Sequence, residues 1–222
     1  MSGSEPPSIK PTSIIAALFN LNAVGIVLPI GDYLDSLQAQ EREIVTHASS
    51  KRQLEFSTGR YCAKTALAKL GVENFPVLRN EDRQPLWPAG HVGSISHCRD
   101  LCGAVVAKNN DFQSIGFDIE NIRQLKQNIK KLICTAYEVD WLTQQKVDNH
   151  DLFVILLFSL KEAVFKCVFP HQNIQLGFKD VSITPDFNSN YAHANFHHKK
   201  AAPDITLTFH ITKQHVYSGA YY

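Results

Sequence analysis

Apolar residues recur along this chain at two periods, and the places where the period changes divide it into elements. Over residues 32–48, Leu34, Leu37, Ile44, Val45 and Ala48 return at helical spacing among Gln and Glu. A second helix is predicted from Ser49 to a stop at Gly71, by the usual serine cap and glycine terminator. Arg52 and Arg60 stand just over two turns apart and project from neighbouring sides of it. Gly59, beside Arg60, costs about 1 kcal/mol relative to alanine inside a helix, which close approach by a ligand or by backbone would explain. A short strand is expected around Val77 and Leu78. The next loop holds Pro85, Pro88 and Gly90, so regular structure is excluded there, and Trp87 reads as a core plug or as a flat ligand surface.

Three strands follow, over residues 91–97, 101–108 and 114–120, read as a meander. Residues 125–146 are helical in pattern. Residues 151–169 are apolar on nearly all sides up to Lys161, so they predict a buried helix, capped by Asp151 or Asn149 and ended by Pro170. Glu162 and Lys166 sit one turn apart near its end. Past Gly177, strands are expected over residues 179–184, 192–198, 204–212 and 215–222. Ahead of all this, residues 13–31 read as a helix turn and a first core strand, and residues 1–12, rich in proline and serine, as a flexible tail. The fold class is therefore α+β, with two similar α/β lobes in a pseudo-twofold arrangement over residues 13–120 and 121–222. No residue-level repeat is visible.

Composition narrows the picture without deciding it. The 222 residues are 44% hydrophobic and 19% charged, ordinary for one large or two small globular units. A formal net charge of +1 provides no global field for nucleic acid or an anionic membrane, so neither is expected as a partner. Any anionic ligand must be met by a local cluster. Five scattered cysteines without a CxxC pair read as reduced thiols of a cytoplasmic protein. His97, Cys98 and Cys102 invite a zinc reading, which the strand pattern around them disfavours, and His193, His197 and His198 read as surface residues.

The stretch with the most chemistry is Ser114 to Glu120. Its alternation puts Ile115, Phe117 and Ile119 on one face of a strand and Gly116, Asp118 and Glu120 on the other. Two carboxylates held side by side repel unless a cation lies between them, and a hard divalent ion such as Mg²⁺ suits oxygen donors. A pair of solvated carboxylates at a strand edge, balanced by lysines, is the plain alternative.

Three separated stretches, WPxGxxGSISHC, GFDIE and FSLKEAVFK, together resemble the signature of 4′-phosphopantetheinyl transferases of the single-chain surfactin- and enterobactin-type branch. KRxxEFxxGRxCAxxALxxLG is similar to an upstream element of the same branch. The resemblance implies the two-lobed fold of that family. It implies transfer of 4′-phosphopantetheine from coenzyme A to a serine of an apo acyl or peptidyl carrier protein, with release of 3′,5′-ADP. It also implies Asp118, Glu120 and Glu162 as Mg²⁺ ligands, and Arg52, Arg60, Arg79, Ser96, His97 and Lys161 as coenzyme A contacts. Glu162 and Lys166 would be the catalytic pair, and a single chain, hence a monomer, would make the whole site. Gln84 departs from a lysine common in the surfactin-like members, and Arg79 or Arg83 would compensate. A non-catalytic module that binds coenzyme A, and an Mg²⁺-dependent phosphodiester hydrolase, would use many of the same residues.

Overall fold

The computed structural model describes residues 11–126, 128–144, 150–172, 176–197 and 203–222. The predicted tail lies outside the described residues except for Pro11 and Thr12, which open the first helix. The first unit comprises α1 (Pro11–Leu18), β1 (Val24–Pro29), a 3₁₀ turn (Leu34–Ser36), α2 (Ala39–Glu43), α3 (Ser50–Lys69), β2 (His91–His97) and β3 (Leu101–Lys108). The second comprises β4 (Ile115–Asn121), α4 (Ile129–Ile133), α5 (Ala136–Gln144), α6 (His150–Gln172), β5 (Val181–Asp186), β6 (Tyr191–Phe196), β7 (Thr206–Ile211) and β8 (His215–Tyr221).

The strands form two antiparallel sheets, ordered β1-β3-β2 and β4-β8-β7-β6-β5. In each, the first strand pairs with the last and a long helix crosses between. α3 packs through Cys62, Ala63, Ala66 and Leu67 on Ile26, Ala104 and Val106 of the first sheet. α6 covers the second through Leu156, Leu160 and Val164. Between the sheets lies a third cluster of Val27, Val105, Ile115, Phe117, Ile119, Tyr217, Ile15 of α1 and Phe19 just past its end. The layers therefore run helix, sheet, sheet, helix.

Several expectations change in detail. β4 does not continue the β2–β3 meander; it opens the second sheet by pairing with β8, Ile115 opposite Tyr221, so this strand goes with the second unit where a boundary after residue 120 gave it to the first. No strand forms at Val77 and Leu78, since the buried Val77 N–H is taken by the Glu41 carboxylate at 3.0 Å and only an isolated bridge, Arg79 to Pro85, forms nearby. The helical pattern of residues 32–48 breaks into the 3₁₀ turn and α2, and that of 125–146 into α4 and α5. Pro170 sits in the last turn of α6 instead of ending it, because its missing N–H costs the helix only the one bond to the Lys166 carbonyl. Ser49 does cap α3, accepting from Arg52 N, and Gly71 follows its end at φ +84°.

The two units share a feature that the sequence reading missed. Glu41 in α2 accepts from the Lys64 ammonium at 2.9 Å, from Gln38 N at 2.9 Å and from Val77 N at 3.0 Å. Glu138 in α5 accepts from Lys161 at 2.7 Å, from Thr135 N at 2.7 Å and from Ile183 N at 2.7 Å. Each lysine also donates to the carbonyl two residues before its cap, Ser36 or Ile133. Glutamate and lysine are 23 residues apart in both units. A residue-level repeat is present after all, in the clasp that fixes each short helix to its long one.

Candidate active site

The site is built where the edge of one sheet meets the edge of the other. β2 and β4 are neighbouring edge strands that do not pair through backbone. Ser94 Oγ accepts from Phe117 N at 3.0 Å and Ser96 Oγ from Ile119 N at 3.4 Å, so two serines of β2 satisfy outward N–H groups of β4. This holds the acidic face of β4 beside α6. Close approach of that helix depends on Gly116, where a Cβ would stand 1.9 Å from the Ala163 carbonyl oxygen and 2.7 Å from Cys167 N. Ser114 Oγ adds a 2.6 Å bond to the Cys167 carbonyl. Glu162 and Lys166 are thereby set opposite Asp118 and Glu120.

A cleft of about 390 Å³ is lined by Arg52, Arg60, Arg79, Arg83, Ser96, His97, Asp118, Glu120, Glu162 and Lys166, among others. It brings together every site residue named from the sequence except Lys161. Lys161 is fully buried in the clasp of the second unit, with its ammonium on Glu138, Ile133 O at 2.9 Å and Phe178 O at 2.6 Å. All three donors are used, so the expected coenzyme A contact is corrected to a structural role. A larger cavity of about 820 Å³ adjoins the cleft across Arg83, Pro85, Ile95 and Lys166, and holds Gln84, Trp87 and Phe165. Trp87 lies on Gly93, where a Cβ would be 2.4 Å from the indole, while still lining that cavity. Gly59 is explained by packing: its Cβ would stand 3.0 Å from Ile95 and 3.2 Å from the Cys102 sulfur.

Charge in the cleft is unevenly balanced. Asp118 is 3% exposed; its Oδ1 accepts from Lys166 at 2.7 Å and Ser96 at 2.8 Å, whereas its Oδ2 is buried without a partner. Lys166 also reaches Ser96 Oγ and the Phe117 carbonyl. Burial, then the neighbouring Asp118 charge, pushes the Glu120 carboxyl up to about 7. Burial raises Glu162 as well, against Lys166 and with Asp118. The unpaired Oδ2 and the two carboxyls short of positive charge are what a hard divalent cation would satisfy. The residues fit Mg²⁺, although the three carboxylates are not drawn together as a closed trio within 4.8 Å.

Cations line the facing wall. Arg60 is 6% exposed, lies 4.3 Å over the Phe56 ring, and keeps a buried Nε with no partner; burial lowers it to about 10. Arg52 is 3.3 Å from both Glu55 Oε2 and His97 Nε2. Burial holds His97 below its usual value, partly offset by Glu55. Arg83 is held at φ +65° in the loop that follows Arg79. The cleft thus pairs an acidic pole with an arginine-rich pole, a division suited to a polyphosphate bridged to a metal.

Comparison with known proteins identifies the family. Residues 40–107 match the model of the 4′-phosphopantetheinyl transferase N-terminal domain, and residues 114–218 match that of the 4′-phosphopantetheinyl transferase superfamily. The chain is 35% identical over 156 residues to 4′-phosphopantetheinyl transferase Svp of Streptomyces mobaraensis, covering 70% of this chain and 63% of Svp. It is 31% identical over 192 residues to 4′-phosphopantetheinyl transferase Npt of Nocardia iowensis, covering 81% of this chain and 86% of Npt. It is 34% identical over 157 residues to enterobactin synthase component D of Salmonella typhimurium, covering 70% of this chain and 60% of that protein. The chain thus spans less than two thirds of the length of Svp and of component D. With both family models matched in order across the two units, and Npt matched over most of its length, the chain belongs to the 4′-phosphopantetheinyl transferase family.

Proposed function

We propose that this protein transfers the 4′-phosphopantetheine group of coenzyme A to a serine of an apo acyl or peptidyl carrier protein, releasing 3′,5′-ADP. The observation that carries this reading is the meeting in one cleft of Asp118, Glu120, Glu162 and Lys166 with Arg52, Arg60, Arg79 and Arg83. Asp118, Glu120 and Glu162 would hold Mg²⁺, which would supply charge neutralisation at the pyrophosphate. Arg60, whose buried guanidinium has an orphaned Nε, and Arg52 with His97 would hold the remaining phosphates of coenzyme A. The apolar cavity beside Trp87 and Phe165 would take the pantetheine arm.

In the transfer, the carrier serine Oγ bonds to the β-phosphorus while the P–O bond to 3′,5′-ADP breaks. Glu162, which lines the cleft beside Lys166, or a water held at the metal, would accept the serine proton. Lys166 neutralises the departing phosphate. Positioning and charge stabilisation account for most of such an acceleration. One chain supplies both walls of the cleft, which supports a monomer, and five free thiols suit a reducing cytoplasm. No helix among the described residues is long and apolar enough to cross a membrane.

The test is the intact mass of an apo carrier protein after incubation with the protein, coenzyme A and Mg²⁺. The expected result is a gain of one phosphopantetheine that is lost without Mg²⁺ and reduced at least about a hundredfold in Glu162→Ala. No gain on either acyl or peptidyl carriers, with coenzyme A bound, would favour a binding module. Release of free phosphopantetheine without a carrier would favour a hydrolase.

A further inference from the structure

On the far side of His97 from the cleft, the turn from β2 to β3 meets the start of β8. Asp100, in that turn, lies 3.0 Å through Oδ1 and 3.2 Å through Oδ2 from His215 Nε2. The Cys98 thiol donates to Asp100 Oδ1 at 3.4 Å. Among the described residues this is the one trio of His, Cys, Asp or Glu whose ligand atoms all lie within 4.8 Å of one another. Cys98 and His215 are buried, whereas the Asp100 side chain is half exposed, so the trio has an opening to solvent.

These separations can be compared with a coordination sphere. Zinc bond lengths of about 2.3 Å to sulfur and about 2.0–2.2 Å to nitrogen and oxygen imply tetrahedral edges of about 3.4–3.6 Å. The observed S–O spacing matches, the O–N spacings need to open by a few tenths of an ångström, and the sulfur and nitrogen lie within 4.8 Å of each other. A thiol, an imidazole and a carboxylate suit a borderline d-block cation, not the hard ion expected of an all-carboxylate set. Supporting contacts are in place: Asn121 Nδ2 donates to Asp100 Oδ1 at 2.7 Å, and Asn121 Oδ1 accepts from Arg99 N at 2.8 Å. Despite some desolvation, hydrogen bonds from Asn121, His215 and Cys98 hold Asp100 down to about 2, so it is ionised at neutral pH.

We propose that Cys98, Asp100 and His215 form a zinc-class divalent-cation site, with a fourth position open to water, that staples the turn of the first sheet to the second sheet. On binding, sulfur–metal and Nε2–metal bonds replace the S–H and Nε2–H bonds: the thiol proton leaves to solvent and the ring proton of His215 passes through water to Nδ1; nothing is oxidised or reduced. The staple bears on the cleft through His97, the residue before Cys98, but does not depend on the proposed transfer reaction. Without a cation, the same three side chains would be a hydrogen-bonded clasp between the sheets.

The full chain, stripped of metal and kept reduced, is titrated with Co²⁺ and then Zn²⁺. One equivalent of Co²⁺ is expected to give thiolate-to-cobalt charge-transfer absorption that Zn²⁺ displaces stoichiometrically and excess Mg²⁺ does not. Cys98→Ser should abolish the band. Cys134→Ser, which removes another buried thiol, should leave it. Asp100→Asn, at an exposed position that need not disturb folding, should weaken Zn²⁺ binding at least about tenfold. Absence of the band, its survival in Cys98→Ser, or unchanged Zn²⁺ affinity in Asp100→Asn would overturn the site and leave the clasp.

Discussion

At the scale of single residues, the cleft contains carboxyls whose titration is set by where the fold puts them. Glu120 has a folded value of about 7 against an ordinary 4.5, from burial first and Asp118 second. The folded state therefore holds this proton more tightly than the unfolded chain does. Its stabilising contribution is full below the unfolded value and is lost as pH rises through about 7. Metal-free protein is expected to lose stability between about pH 4.5 and 7, with Glu162 acting in the same direction. Urea midpoints across that range should show a shallower slope in Glu120→Gln. A variant with the parent's slope would mean that Glu120 does not keep its proton. The alternation that pairs Glu120 with Asp118 was legible as a period of two. Its electrostatic consequence was not, because burial by α6 comes from a segment some forty residues away.

At the scale of elements, the contact of α6 with β4 places the catalytic candidates, and it rests on one hydrogen atom. Gly116→Ala would drive a methyl into the Ala163 carbonyl and Cys167 N, backbone atoms that cannot swing aside. A loss of at least about 3 kcal/mol, the upper end for overpacking, is expected in chemical denaturation. Gly177→Ala, where a Cβ meets only Asp180 Oδ2 at 3.4 Å, is the control and should stay near the parent. Equal stability of both variants would mean that α6 does not lie as closely on β4 as described. The helices α3 and α6 were readable from caps and apolar spacing. The edge-to-edge join through Ser94 and Ser96 was not, since a serine in a strand carries no sign of which distant N–H it will accept.

At the scale of the whole molecule, the paired clasps tie each short helix to its long helix and to a backbone N–H further along the chain. Glu138 and Lys161 are both fully enclosed, while Lys64 keeps some exposure beside the enclosed Glu41. Removing one member of an enclosed pair leaves an uncompensated charge and costs about 3–5 kcal/mol. Lys161→Met should fall in that range in urea unfolding, Lys64→Met should cost less, and the double variant Lys161→Met with Glu138→Gln should recover part of the loss. If Lys161→Met were as stable as the parent while transfer activity collapsed, the ammonium would belong to the cleft, against its burial.

The long helices α3 and α6, the strands on either side of them, and the residues of the acidic strand were determined by the sequence alone. These depend on local periodicity, caps and turns, which neighbours within a dozen residues decide. The partner strand of β4, the enclosure of Lys161 beside an accessible Glu162, and the meeting of Cys98, Asp100 and His215 were decided only by the tertiary structure. Each joins residues that are tens to more than a hundred positions apart. The choice among such contacts is made by how whole faces pack and which buried polar groups find partners, and no local pattern encodes that.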